Sequence, residues 1–203
     1  MLKYKIVLAG DKNVGKSSLI ARYCDNVFNE KMRDTIGVAF KRKKLDLDIK
    51  KSLDLTIWDF GGEEKYRVLF PQYVHGAAAA LILFDSTRKD TLNGVEKWLE
   101  IIDNNTDENI VKVLIATKID LKEENQVDIK ESVKFAKKFN FYGDPIATSS
   151  KTGENVEKAF KKVAEGIVHE RLQRCTNCGE IFSKKLKICN YCGAEAEIKI
   201  VTS

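Results

Sequence analysis

Gly10-Asp11-Lys12-Asn13-Val14-Gly15-Lys16-Ser17 fits the pattern G-x-x-x-x-G-K-S. In such a loop the glycines let a ring of main-chain N–H groups close around phosphate oxygens, and the helix that follows aims its positive end at the same charge. Lys16 is then placed to bridge the outer phosphates and Ser17 to ligate magnesium, with Asp11, Lys12, Asn13, Val14, Gly15 and Ser18 completing the cradle. A second constellation is Cys175-Thr176-Asn177-Cys178-Gly179 with Cys189-Asn190-Tyr191-Cys192-Gly193, two C-x-x-C-G knuckles separated by ten residues. Four thiolates at this spacing suit a tetrahedral metal ion, zinc first and iron second. Disulfides are the third reading and fit poorly with the cytosolic character expected below, because thiols stay reduced there.

These groups need a frame. Ile6-Val7-Leu8-Ala9 is an apolar run ending at Gly10, and apolar residues recur at helical spacing over 17–24, which predicts strand, glycine loop, helix. Residues 53–58 alternate, 79–84 and 111–116 are continuous apolar strands, and 92–102 and 133–139 read as helices. Buried parallel strands alternating with helices predict a doubly wound α/β sheet. The lysine-rich stretch 40–49 is expected to hairpin with 53–59 at Lys50-Lys51-Ser52 and to form an antiparallel edge strand.

The last helix of the α/β unit is expected over about 154–172, with Val156, Phe160, Val163 and Ile167 on one stripe. After Arg174 the composition changes, which divides the chain into an α/β domain, 1–172, and a four-cysteine module, 173–203, joined without a long tether. The β-prone Ile181-Phe182 and Ile198-Lys199-Ile200-Val201 suggest a small zinc ribbon. About thirty residues bury too little apolar surface to fold alone, whereas structural zinc contributes about 10–16 kcal/mol in comparable modules. Cys24, among Leu19, Ile20 and Tyr23, reads as a small core side chain, and His75 and His169 belong to no pattern.

With 203 residues, 43% hydrophobic and 32% charged, the chain can bury a full core. The net charge of +5 is modest and its lysines fall on helix faces and strand edges, so charge alone does not indicate nucleic-acid binding. No apolar run reaches the roughly eighteen residues of a membrane span, and Met1-Leu2-Lys3-Tyr4 enters a strand-like pattern at once, so a cytoplasmic protein is expected; a monomer is the separate expectation for its assembly. Leu2 is not the glycine of a myristoylation site, and Lys199-Ile200-Val201-Thr202-Ser203 has no cysteine for prenylation, so no direct lipid anchor is expected.

The rest of the motif set, in order over residues 3–172, resembles the Ras superfamily of small GTPases and is most similar to its Rab branch. That resemblance implies the G-domain fold with a mostly parallel six-stranded sheet, and GTP or GDP with Mg²⁺ as ligands. Asp34-Thr35-Ile36-Gly37-Val38-Ala39-Phe40 looks like the first switch, which makes Thr35 the magnesium ligand sensitive to the γ-phosphate. Trp58-Asp59-Phe60-Gly61-Gly62-Glu63-Glu64 looks like the second, with Asp59 acting through a magnesium-bound water and the Gly62 N–H on the γ-phosphate. Losing that phosphate would release both loops. The implied effector contacts are 36–40 and 66–73, and the family also implies an exchange factor and an activating protein.

Thr117-Lys118-Ile119-Asp120 matches the guanine-reading motif N-K-x-D except at its first residue. The Asp120 carboxylate can accept from the N1–H and amine of guanine, whereas adenine offers it another lone pair. Thr117, as in the Rho branch, implies weaker fastening of the loop, and Lys118 is expected to lay its stem along the base. Thr148-Ser149-Ser150-Lys151 resembles the loop that offers N–H groups to the guanine oxygen, and Phe28 stands where the family stacks an aromatic ring.

Two departures bear on catalysis. Glu63 stands where active members carry a glutamine that orients the attacking water, and a carboxylate can accept from water without donating to the phosphoryl oxygens. Lys12 replaces a small residue and is expected to overhang the phosphates near Glu63, where the two charges could neutralise one another. The leading reading is a GTP-hydrolysing switch with Glu63, Lys16, Thr35 and Gly62 as the catalytic set. One alternative is a nucleotide-binding scaffold with little hydrolysis, and the other is a GTPase recruited to nucleic acid or the ribosome through the ribbon.

Overall fold

The computed structural model describes residues 2–32, 35–47, 51–62, 67–106 and 110–195, with the backbone alone at Lys51. Strand β1 (Leu2–Ala9) turns Ile6 and Leu8 to one face and Val7 and Ala9 to the other, as the two-residue repeat of a strand requires. It lies between β3 (Lys51–Phe60) and β4 (Ala79–Asp85) and is parallel to both. Strand β5 (Val111–Thr117) and the two-residue β6 (Ile146–Ala147) extend the sheet, and β2 (Val38–Leu47) closes its other edge antiparallel to β3. The order β2-β3-β1-β4-β5-β6 is the expected mostly parallel sheet of six strands with the lysine-rich strand at the edge.

Each face carries its own core. Helices α1 (Lys16–Asp25) and α5 (Val156–Arg171) cover one face, where Tyr23 stacks on Phe160 with ring centroids 3.7 Å apart. The stripe expected on the last helix, Val156, Phe160, Val163 and Ile167, is buried there. The other face packs α2 (Phe70–Val74), α3 (Lys89–Asn105) and α4 (Ile129–Lys138) around Trp98, Phe70 and Phe84. A fully buried side chain of this kind contributes about 1.5–3 kcal/mol, so these two layers fix the strand ends from which the functional loops emerge.

Three boundaries differ from expectation. Helices α3 and α4 begin earlier than the apolar spacing shows, because the first turn of α3 is polar and Ile129, which opens α4, is exposed; Asp128 caps α4 by accepting from the Lys130 N–H at 3.0 Å. Lys51 and Ser52, read as turn residues, are paired in the ladder with Leu47 and Asp46, while Ile49 and Lys50 lie outside the described residues.

The chain leaves α5 directly into β7 (Leu172–Arg174), which pairs antiparallel with β8 (Ile181–Ser183) across the expected boundary at 173. Leu172 and Ile181 are buried with Val168 against Leu2, Tyr4 and Leu47, so the small hairpin shares a core with the start of β1 and the far end of β2. The β-prone stretch 198–201 lies outside the described residues.

Candidate functional site

The loop between β1 and α1 starts at Gly10, whose φ of 141° and close approach to the Leu83 carbonyl leave no room for a Cβ. Helix α1 starts at Lys16 with no acidic residue in its first turn, so its positive end stays unneutralised. Lys16 is 6% exposed, and its Nζ donates to the Gly10 carbonyl at 2.7 Å and the Asp11 carbonyl at 2.9 Å. Burial pulls its pKa down to about 8, against the opposing pull of Asp59 and Asp11.

Ser17, Thr35 and Asp59 come together beside this lysine. Ser17 Oγ lies 2.6 Å from Thr35 Oγ1 and donates to Asp59 Oδ2 at 2.5 Å, and Thr35 Oγ1 donates to the same oxygen at 3.1 Å. Burial raises the Asp59 pKa, with Ser17, Lys16 and Thr35 opposing it, and Asp59 Oδ1 is buried with no hydrogen-bond partner. An all-oxygen set with an orphaned buried carboxylate oxygen is the hard-donor chemistry that suits a magnesium ion, so these residues fit the cation expected of them.

A cavity of about 540 Å³ runs from this cluster to the sheet's β5–β6 end. Lys12, Asn13, Gly15, Lys16, Ser17, Ser18, Thr35 and Gly62 line one part, and Phe28, Thr117, Lys118, Asp120, Ser150 and Lys151 line the other. Val14 is buried beneath the loop and Ser149 beneath the base end, so neither presents its side chain to the cavity. Asp11 also turns away: its carboxylate accepts from Trp98 Nε1 at 2.9 Å and Arg67 Nη2 at 3.2 Å, leaving its carbonyl toward Lys16. Glu63 lies outside the described residues.

The base end is fastened by Thr117 and Lys118 of the base-reading motif and by Asp85, Arg22 and Arg88, which motif matching passes over; the weak fastening expected of Thr117 is not what its hydroxyl does. Thr117 Oγ1 sits 2.7 Å from the Val14 carbonyl and 2.9 Å from that of Phe84, a single hydroxyl proton serving the phosphate loop and β4. Lys118, at φ 60°, reaches Asp85 Oδ2 at 2.6 Å. Burial pushes Asp85 upward, but Lys118 and Thr87 outweigh it and hold the carboxyl below its ordinary range. Arg22 of α1 donates to the carbonyls of Ser150 at 2.7 Å and Lys151 at 2.8 Å, fixing the loop opposite Asp120. Arg88 ties Asp85 to the Lys12 carbonyl at 3.0 Å. Asp85 had a signal in the sequence, an acid closing a continuous apolar strand, whereas Arg22 and Arg88 had none.

The four cysteines converge in the small hairpin module. All their sulfurs lie within 4.8 Å of one another, with Cys175–Cys192 at 3.6 Å and Cys178–Cys189 at 3.7 Å. Metal–sulfur bonds of about 2.3 Å in a tetrahedron place sulfurs about 3.8 Å apart, whereas a disulfide needs about 2.05 Å. The two knuckles repeat one geometry: Gly179 N–H donates to the Cys175 carbonyl and Gly193 N–H to that of Cys189. The Ala194 N–H and the Asn177 amide donate toward the Cys192 sulfur and lower its pKa, whereas the other three thiols push that of Cys178 up, so the sulfurs titrate as one cluster.

Among the described residues no helix is long and apolar enough to cross a membrane. Residues 5–169 match the family model described as "Ras family". The chain is 40% identical over 166 residues to Ras-related protein RABA1c of Arabidopsis thaliana, covering 82% of this chain and 76% of that protein. It is 38% identical over 177 residues to Ras-related protein Rab11E of Lotus japonicus, covering 87% and 80% of the two chains. Ras-related protein RIC2 of Oryza sativa subsp. japonica is 37% identical over the same length. The chain thus belongs to the Ras family, and its Rab-type relatives make it a small GTPase molecular switch of that kind.

Proposed function

We propose that this switch selects guanine through Asp120, closes on GTP with Thr35 and Gly62, hydrolyses it slowly, and carries a zinc ribbon over 173–203. One continuous cavity joining Lys16 and Ser17 to Asp120 and Lys151 carries the nucleotide part of this reading. Lys16 and the loop N–H groups would hold the phosphates, Ser17 and Thr35 would ligate magnesium directly, and Asp59 would act through water. Magnesium would neutralise phosphate charge there. An adenine base would leave the Asp120 carboxylate facing an acceptor, a mismatch worth several kcal/mol.

Slow hydrolysis rests on Glu63, whose carboxylate adds negative charge beside the phosphoryl group and has no proton to donate. Lys12 lines the same cavity and would offset that charge in cis. Single-turnover hydrolysis by the wild type, Lys12→Gly, Glu63→Gln and the double variant tests the pairing, since additive effects on the logarithm of the rate mean no coupling. Exposed Ile36 and Phe40 and the stretch 66–73 would receive the effector, with Tyr66 outside the described residues.

The sulfur spacing supports a tetrahedral ion in the ribbon, zinc ahead of iron. Nucleotide chromatography and elemental analysis of freshly purified protein test the whole reading. One guanine nucleotide, mostly GDP, and one zinc per chain are expected. Mostly GTP would favour a scaffold that hardly hydrolyses, and failure to take up GTP with magnesium would refute the reading.

A further inference from the structure

We propose that Arg88 is a positioning residue for the phosphate cradle: it holds the carbonyl of the Lys12–Asn13 peptide so that the Asn13 N–H faces bound phosphate, and it thereby slows nucleotide release. This role rests on the reading of the cavity as a guanine-nucleotide site, and Arg88 belongs to neither the phosphate-loop motif nor the base-reading motif.

Arg88 Nη2 donates to the Lys12 carbonyl at 3.0 Å while its Nε donates to Asp85 Oδ2 at 3.1 Å. A guanidinium is rigid and planar, so a carboxylate that fixes one nitrogen also fixes the direction of the next. The Asp85 side chain is 1% exposed, and Thr87 donates to its other oxygen through the N–H at 3.0 Å and the hydroxyl at 2.7 Å. The main chain of Arg88 is held as well. It stands just before α3, where its N–H donates to the Asp85 carbonyl at 3.0 Å and its carbonyl accepts from the Thr91 hydroxyl at 2.6 Å.

In a trans peptide the carbonyl and the N–H point in opposite directions. With its oxygen committed to Arg88, the Lys12–Asn13 unit turns the Asn13 N–H away from Arg88, and both residues line the nucleotide cavity. The unit needs holding because Asn13 sits at φ 63°, in the left-handed region that L side chains enter at a cost. Turning the unit over would return Asn13 to a negative φ and set a carbonyl oxygen, in place of an N–H donor, against phosphate. Other carbonyls of the loop are restrained in the same manner: Lys16 Nζ donates to those of Gly10 and Asp11, and Thr117 Oγ1 reaches that of Val14. Arg88 does this for Lys12 from outside the loop. The base end keeps its own fastening without it, since Lys118 reaches Asp85 Oδ2 at 2.6 Å.

Release of two bound nucleotides, GDP and inosine diphosphate, by wild type and Arg88→Ala tests the proposal, with the Asn13 amide proton followed by NMR in the GDP complex. Inosine diphosphate lacks the 2-amino group that Asp120 would hold, so it reports on the base end. Arg88→Ala should release both nucleotides about tenfold faster, the low end for a hydrogen bond from a charged group that is partly exposed. Its Asn13 amide proton should move upfield as the bond to phosphate weakens, while the amides of Lys118 and Asp120 stay at their wild-type positions. Unchanged release overturns the proposal. So does faster release with the Asn13 resonance unmoved, or faster release of GDP with inosine diphosphate unaffected, which would place the action of Arg88 at the base end. A wild-type protein that retains no GDP sinks the nucleotide reading itself, whereas one that retains GDP and fails any of these comparisons loses only the role of Arg88.

Discussion

The carboxylate of Asp11 accepts a hydrogen bond from the indole of Trp98 at 2.9 Å, across a sequence separation of 87 residues. Arg67 Nη2 shares the same oxygen at 3.2 Å, and its guanidinium carbon lies 4.8 Å from the Trp98 ring centre. Helix α3 comes close enough that a Cβ at Gly94 would collide with the carboxylate. Asp11 thus ties the phosphate loop to α3 and to the segment that leads into α2.

Removing that acceptor leaves a buried indole N–H and a half-buried guanidinium without it. Hydrogen bonds to a charged group are worth about 1.5–3 kcal/mol, so Asp11→Ala should lower the melting temperature by about 4–12 °C. Trp98→Phe loses the same N–H and adds a cavity cost of its own, and the double variant should cost less than the sum. Thermal melts of the four proteins check this; full additivity would mean that the two residues do not act as a pair.

Gly62 approaches the phosphate loop so closely that a Cβ would fall 2.5 Å from Lys16 Nζ and 2.6 Å from the Asp11 carbonyl. Gly62→Ala must push the segment off the loop, at a cost of about 1–3 kcal/mol in close packing. If its N–H meets the γ-phosphate, that cost falls on GTP, whose affinity should drop roughly 5- to 150-fold while GDP changes little. Titration with fluorescent GDP and a non-hydrolysable GTP analogue separates the cases. Equal losses would place the clash on the loop itself.

Lys16 gives the site a pH dependence whose sign follows from burial. In the nucleotide-free protein its pKa is pulled down to about 8. Phosphate binds the protonated form and raises that pKa, so binding above about pH 8 takes up a proton, and affinity falls as pH rises through this range. Calorimetry in buffers of different ionisation enthalpy should show proton uptake growing from near zero at pH 7 toward one per nucleotide by about pH 9. Uptake that stays flat across this window would mean that Lys16 is already charged.

Much of this site was readable because its chemistry is local in sequence. Loop, helix start and cysteine knuckles each lie within a few consecutive residues, and their side chains share a neighbourhood for that reason alone. Direction was not readable. Asp11 sits between glycine-framed neighbours that face the cavity, yet its side chain answers to Trp98. Arg22 reaches Ser150 and Lys151 across a fold-level separation that no spacing encodes. The early start of α4 was hidden because Ile129 is 50% exposed, so its first turn adds nothing to the apolar stripe. The strand before Cys175 was hidden differently: β7 is built from residues that continue the helical pattern of α5, and only pairing with β8 makes them a strand.

That hairpin sets the last expectation. A tail that merely hung from α5 could lose its metal without consequence for the larger domain. Leu172 and Ile181, however, are buried against Leu2, Tyr4 and Leu47, and Gln173 donates to the carbonyls of Ser183 at 3.3 Å and Leu186 at 3.1 Å. Unfolding the ribbon uncovers both apolar side chains, at about 1.5–3 kcal/mol each. Stripping metal with a chelator, or Cys192→Ser, should therefore lower the melting temperature of the nucleotide-bound domain by about 5–15 °C. Nucleotide affinity should hold, because the shared core lies at the opposite end of β1 from the phosphate loop. Differential scanning calorimetry with and without chelator, alongside nucleotide titration, reads both quantities. An unchanged melt after metal loss would show that the ribbon does not brace the domain, and a matching loss of nucleotide binding would show that its influence reaches the loop.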